Sequence, residues 1–150
     1  MNVLKVGDNA PNFSCKNQYG DIISLSEMIG KKIVLFFYPK ANTPGCTAEA
    51  CNINDNYSRF KSQGYEVIGV SADSEKVQKN FSDKFSFNYS LLCDVDKKII
   101  FSYGAWGQKK MYGKEYMGII RKTIIIDESG KIAQIIEKVK TKEHTAQILD

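Results

Sequence analysis

Ile33-Val34-Leu35-Phe36-Phe37-Tyr38 runs directly into Pro39-Lys40-Ala41-Asn42-Thr43-Pro44-Gly45-Cys46-Thr47-Ala48-Glu49-Ala50-Cys51, and the reading of that junction decides the fold. Its first half is apolar without alternation, as in a central strand covered on both faces. Beyond Cys46 the apolar residues Ile53, Tyr57 and Phe60 recur at i, i+4 and i+7, a helical pattern that Gly64 stops. Residues 65–70 form a second apolar run. Strand, crossover helix and parallel strand predict a right-handed α/β unit.

Outward from this unit the signals continue. Residues 13–15 and 22–25, joined through residues 17–21, predict an N-terminal hairpin. Residues 74–85 read as a helix with Val77, Phe81 and Phe85 on one face. Residues 89–93 read as a strand, and Asp96 as the cap of a short helix reaching Tyr103. Residues 121–126 and 132–139 flank Asp127-Glu128-Ser129-Gly130 and predict an antiparallel hairpin at the sheet's edge; residues 141–150 predict a closing helix. The expected fold is an α/β thioredoxin-like sandwich, a mixed central sheet with helices on both faces. With no repeat or linker-like stretch, residues 1–150 read as one domain.

Composition narrows the function classes. Among 150 residues, 21 Lys and Arg against 17 Asp and Glu give a net charge of +4. The lysines are dispersed and the only arginines are Arg59 and Arg121, so a solvated, mildly basic surface is expected rather than a nucleic-acid or lipid site. Residues 1–10 lack the apolar core of a secretory signal, and the longest apolar runs are too short to span a bilayer. A cytoplasmic location is expected. There the 4 cysteines should rest as thiols, and any disulfide should be catalytic or regulatory.

The junction also carries the chemistry. In open α/β sheets the crevice beyond the strands' carboxyl ends is the usual ligand site. Thr43 and Pro44 read as N-cap and first helical residue, which puts Cys46 in the first turn. Free backbone N–H groups and the positive end of the helix dipole there favour a thiolate, so a lowered thiol pKa is expected. Cys51 follows five residues later. In an intact helix that spacing turns ~140°, rises ~7.5 Å and sets the Cα atoms ~8–9 Å apart. A disulfide needs ~7 Å or less. Either the two never pair and Cys51 packs the helix, or the first turns unwind when they do. No metal is expected, because Cys15, Cys93 and His144 supply no knuckle-like spacing. Cys15 and Cys93 read as inert core thiols, His144 as a surface residue, and Asp94-Val95-Asp96 as a turn and helix cap.

Pro39-x-x-x-Thr43-x-x-Cys46 resembles the active-site signature of the peroxiredoxins, with roughly 0.003 chance matches expected from composition. The run 38–51 is similar to the bacterioferritin-comigratory-protein (Q-type) subgroup. So are Tyr103-Gly104-Ala105-Trp106 and Gly118-Ile119-Ile120-Arg121-Lys122-Thr123. The resemblance implies a thiol peroxidase without a cofactor. Cys46 would attack a hydroperoxide and become a sulfenic acid. Thr43 and Arg121 would hydrogen-bond the thiolate and the peroxide oxygens, and Pro39 would shield them from water. Cys51 would condense with the sulfenic acid, and thioredoxin or a similar dithiol protein would reduce the disulfide. Glu49 would sit near the arginine, with Gly45 and Trp106 close by, and a monomer is expected.

Two rivals remain at this stage. A general disulfide oxidoreductase would share the fold but uses Cys-x-x-Cys, which is absent. A redox-regulated binding protein would use Cys46 and Cys51 only as a switch.

Overall fold

The structure is a computed structural model and describes residues 3–149. In chain order it comprises β1 (Ser14–Lys16), β2 (Ile22–Ser24), β3 (Lys32–Phe37), α1 (Pro44–Asp55), α2 (Tyr57–Ser62), β4 (Tyr65–Ser71), α3 (Glu75–Phe85), β5 (Ser90–Cys93), α4 (Lys98–Ser102), β6 (Trp106–Met111), β7 (Lys114–Ile119), β8 (Lys122–Ile126), β9 (Ile132–Ile136) and α5 (His144–Ile148). A short 3-10 turn, Leu25–Met28, links β2 to β3. The central sheet has the order β5-β4-β3-β8-β9. Its β3–β4 and β4–β5 pairs are parallel, and β3–β8 and β8–β9 antiparallel. The expected mixed sheet and N-terminal hairpin are both present, and the arrangement is that of thioredoxin-like proteins.

Alternation along the buried strands divides the core into two layers. Ile33, Leu35 and Phe37 of β3 pack with Ile68, Val70, Ile124, Ile126, Ile100 and Tyr103 on one face. Val34 and Phe36, with Tyr38 just beyond, pack on the other face with Ala50, Ile53, Phe60, Val67, Phe81 and Ile125. Cys46 belongs to this second layer. Continuous apolar runs in β3, β4 and β8 are thus explained by burial on both sides.

The register of β3 with β8 positions the site. Phe37 pairs with Lys122 and Phe36 with Thr123. Side chains directly opposite share a face, so Thr123 and Ile125 point to the layer of α1. Arg121, one residue before β8, falls beside the chain leaving β3 and faces the same way.

Several expectations are corrected. The helix after Cys46 breaks at Asn56 (φ −110°, ψ 16°) into α1 and α2. Asn56 Nδ2 donates 2.8 Å to the Asn52 carbonyl, a local bond that competes with helix continuation. On α3 the inward residues are Gln78, Phe81 and Ser82, while Val77 is exposed. Gln78 turns inward because its amide bridges the Tyr38 hydroxyl and the Leu92 carbonyl. The last helix is shorter than expected, and Asp150 lies outside the described residues. The hairpin of β6 and β7 was not expected at all. Its two-residue turn, Tyr112-Gly113, has φ of 52° and 79°. Both lie in the left-handed region that a type I′ turn requires, and Gly113 meets that demand without strain.

Candidate active site

Cys46 is the third residue of α1, after Pro44 and Gly45. Thr43 is the N-cap in position, and its carbonyl accepts the first helical bond from Thr47 N–H at 2.8 Å. Its hydroxyl does not cap the helix. It donates 2.8 Å to the Lys40 carbonyl, which pins the loop that leads out of β3. A bond from Thr43 to the sulfur therefore requires that hydroxyl to rotate.

The loop is also fixed from the neighbouring strand. Asp73, just after β4, accepts from Ala41 N–H at 2.8 Å and from the Ser71 hydroxyl at 2.7 Å. Pro39 is half-buried between Tyr38 and this loop. The first turn of α1 is thus held at the carboxyl ends of β3 and β4, where α/β crevices form.

Arg121 reaches across the mouth of α1. Its Nη2 donates to Cys46 Sγ at 3.3 Å, and its Nη1 donates to Glu49 Oε1 at 2.7 Å. A guanidinium favours an anionic acceptor, so this fork suits a thiolate beside a carboxylate. Gly45 permits the approach, because a Cβ there would stand 3.2 Å from Arg121 Nη2. Cys46 is 1% exposed and the Glu49 side chain 0%. Burial pushes the Glu49 carboxyl up to about 7 although Arg121 opposes it. Desolvation here outweighs a short ion pair.

Cys51 lies in the same helix, half-buried, and both it and Cys46 are free thiols. Burial, then Asp55, pushes the Cys51 thiol up. With α1 intact over both cysteines, the helical separation keeps them too far apart to bond.

Trp106 is not brought to the sulfur. Its ring packs edge-on against Phe101 at 5.4 Å, with Lys97 Nζ 5.7 Å from its centroid, and it borders the opposite core layer. It anchors the start of β6. Cys15 and Cys93 lie in β1 and β5, as expected, and burial pushes them up to about 11 and about 12. Asp94 and Asp96 serve turn and helix: Asp94 Oδ2 accepts from Ile100 N–H at 2.8 Å and Asp96 Oδ1 from Lys98 N–H at 3.3 Å. The positional cap of α4 is nevertheless Lys97, at φ 64°.

His144 is the main correction. The expected surface residue is 0% exposed, at the start of α5. Its Nε2 is 2.7 Å from Thr123 Oγ1 and 3.4 Å from Glu49 Oε2. Asn52 holds α5 there, accepting from Thr145 N–H at 2.8 Å and donating to the Lys142 carbonyl at 3.1 Å. Lys109 of β6 was also unforeseen. Burial, then Arg121, holds its ammonium below the usual lysine range while Cys46 acts the other way. A second cation therefore couples to the guanidinium and the sulfur.

This is a thioredoxin-like fold with a guanidinium-bound cysteine at a helix mouth, the class that carries out thiol redox chemistry. Residues 6–135 match the model of the AhpC/TSA family, and the chain belongs to that family. It is 40% identical to Peroxiredoxin Bcp of Escherichia coli over 150 residues, 100% of this chain and 96% of the relative. The Bcp protein of Haemophilus influenzae is 43% identical, covering 100% and 97%. The bacterioferritin comigratory protein of Xanthomonas campestris superposes with a TM-score of 0.85 at 33% identity, covering 91% of this chain and 87% of that one. The enzyme is a peroxiredoxin of the Bcp type.

Proposed function

We propose that Cys46 reduces hydrogen peroxide and organic hydroperoxides, and that Cys51 then closes a transient intramolecular disulfide with it. The single observation that carries this reading is the Arg121 fork, which holds Cys46 Sγ and Glu49 Oε1 at 3.3 and 2.7 Å. The Xanthomonas campestris relative is described by its alkyl peroxide reduction activity, which accords with the proposal.

In the first step the Cys46 thiolate attacks the terminal peroxide oxygen. The S–O bond forms as the O–O bond breaks, the sulfur is oxidised to a sulfenic acid, and the departing oxygen takes a proton to leave as water or alcohol. Negative charge develops on that departing oxygen. Donors already oriented at Arg121 and at the free N–H groups of the α1 first turn stabilise it without reorganisation. Pro39 and Thr43 border the same space, Pro39 excluding water and Thr43 adding a donor once its hydroxyl turns from Lys40.

In the second step Cys51 sulfur displaces hydroxide from the sulfenic acid, releasing water and forming the S–S bond. Its first requirement is unwinding of α1 between the two residues. Thioredoxin, or a dithiol protein like it, then returns two electrons and two protons by exchange through a mixed disulfide. The protein acts as a cytoplasmic monomer of one domain; both cysteines come from one helix of one chain, so resolution needs no second subunit.

The test is peroxide-dependent oxidation of reduced thioredoxin by wild type and by Cys46→Ser and Cys51→Ser. Loss of all turnover in the first variant, and one stoichiometric oxidation without turnover in the second, is expected. Full peroxide consumption by Cys46→Ser would remove the nucleophile from this account.

A further inference from the structure

Glu49 Oε2 is a buried oxygen without a hydrogen-bond partner among the described residues. His144 Nε2 faces it at 3.4 Å, and both side chains are 0% exposed. The ring's tautomer follows from its other nitrogen. Gln147 Nε2 donates 2.9 Å to the Lys138 carbonyl, and Gln147 Oε1 accepts from Lys140 N–H at 2.9 Å. Those two backbone groups fix which end of the amide is oxygen. His144 Nδ1, 2.7 Å from that same oxygen, must be the donor. A neutral His144 therefore presents a lone pair at Nε2, where the Thr123 hydroxyl donates at 2.7 Å.

Across the remaining gap a carboxylate oxygen faces a ring nitrogen, both acceptors. An added proton relieves that opposition whichever atom bears it. It converts Nε2 into a donor to Oε2, or Oε2 into a donor to Nε2, and either arrangement requires the Thr123 hydroxyl to turn from the single Nε2 lone pair.

We propose that His144 is a positioning residue of the peroxide site, sharing one exchangeable proton with Glu49 and so setting how much of the Arg121 charge reaches the Cys46 sulfur. This rests on the reading of Cys46 as a reactive thiolate. With the proton bound, the Glu49–His144 pair is neutral and the guanidinium is left to the sulfur. With the proton lost, Glu49 is a full carboxylate 2.7 Å from Nη1 and competes for the same cation.

Charges around the pair agree with a proton exchanged near neutrality. Burial raises Glu49 to about 7. Burial and Arg121 hold His144 below its usual value, while Gln147 opposes them. The other facing groups are Arg121 beside β8, Cys46 on α1, and Tyr89 just before β5, whose hydroxyl is itself bonded to the Ala50 carbonyl at 2.7 Å. Lys109 of β6 is coupled to Arg121 and Cys46. The pair titrates as a unit, so its proton belongs to neither residue alone.

The test is the pH profile of Cys46 alkylation by iodoacetamide, read at the Cys46 peptide by mass spectrometry. Wild type should show, besides the rise common to any thiol as it ionises, a second rise near neutrality as Glu49 takes Arg121 charge and the sulfur becomes more nucleophilic. Glu49→Gln should lose the second rise. His144→Gln, whose amide donates where Nε2 accepted, should move it down by about one pH unit. A single rise in wild type, or a second rise unmoved in His144→Gln, overturns the proposal. Ring-nitrogen NMR of wild-type His144 tests it without any substitution. A proton on Nδ1 above the second rise is expected, and one on Nε2 overturns it. Peroxide plays no part in these measurements, so two rises in a protein that turns over no peroxide would sink the peroxidase reading alone.

Discussion

Cys46 and Cys93 are both nearly sealed from solvent, at 1% and 9% exposure, yet their surroundings are opposite in sign. Cys46 sits at the positive end of a helix and accepts from a guanidinium. Cys93 ends a strand, its thiol faces the Leu91 carbonyl at 3.9 Å, and Cys15, Glu75 and Asp73 add to burial in opposing its ionisation. Burial by itself makes a thiol inert. What separates the proposed peroxidatic cysteine from a structural one in this molecule is the cation and the helix mouth, not accessibility.

The contrast can be broken at its strongest point. Arg121→Ala removes the only side-chain donor to the sulfur among the described residues and leaves Glu49 buried without its partner. Peroxide reduction should fall by about 10²–10³-fold, the scale of losing an oriented transition-state donor. Stopped-flow rates within a few-fold of wild type would show that the helix terminus alone suffices.

Gly45→Ala tests the approach rather than the charge. Its Cβ would press on Arg121 Nη2 at 3.2 Å, so the guanidinium must yield by a few tenths of an ångström. That is well short of the ångström-scale misplacement that costs ~100-fold, and a loss of about fivefold is expected. An unchanged rate would mean that the fork tolerates displacement.

The Glu49 side of the fork should appear in stability. A carboxyl held at about 7, against an ordinary 4.5, keeps its proton in the folded state after the unfolded chain has released it. Its contribution is present below about pH 4.5 and fades as pH rises to about 7. The urea midpoint of wild type should therefore fall relative to Glu49→Gln across that window. His144, whose burial holds it below its usual value, acts in the opposite sense, and because it shares a proton with Glu49 the difference between the two proteins reads the pair. A constant difference between them would contradict the raised carboxyl. The smallest effect belongs to the other pole of the comparison: Cys15→Ser and Cys93→Ser should leave the peroxide rate unchanged.

The residues differ in how far their roles could be read from sequence. The junction of β3 with α1 was legible because its signals are local: an apolar strand, then Thr43-Pro44 at a helix start. Arg121 needed the resemblance, since nothing in its neighbourhood distinguishes it from a strand-end surface arginine. His144 was misread for a physical reason. Its partners Glu49 and Thr123 lie 95 and 21 positions away, so no local pattern marks the residue as buried. The β6–β7 hairpin was hidden because β7 exposes most of its residues and so lacks the apolar alternation of a half-buried strand. Trp106 shows the converse, a distinctive residue near a matching motif whose ring packs against Phe101 at the border of the opposite core layer.

Reduced protein mixed with one equivalent of hydroperoxide and quenched with a sulfenic-acid trap offers the most direct trial, resolved by peptide over all 4 cysteines. The trap should appear on Cys46 first, followed by a Cys46–Cys51 linkage, while Cys15 and Cys93 stay reduced. Oxidation beginning at Cys15, Cys51 or Cys93, or spread evenly among them, would contradict the claim that a cation at the helix mouth selects the reactive sulfur.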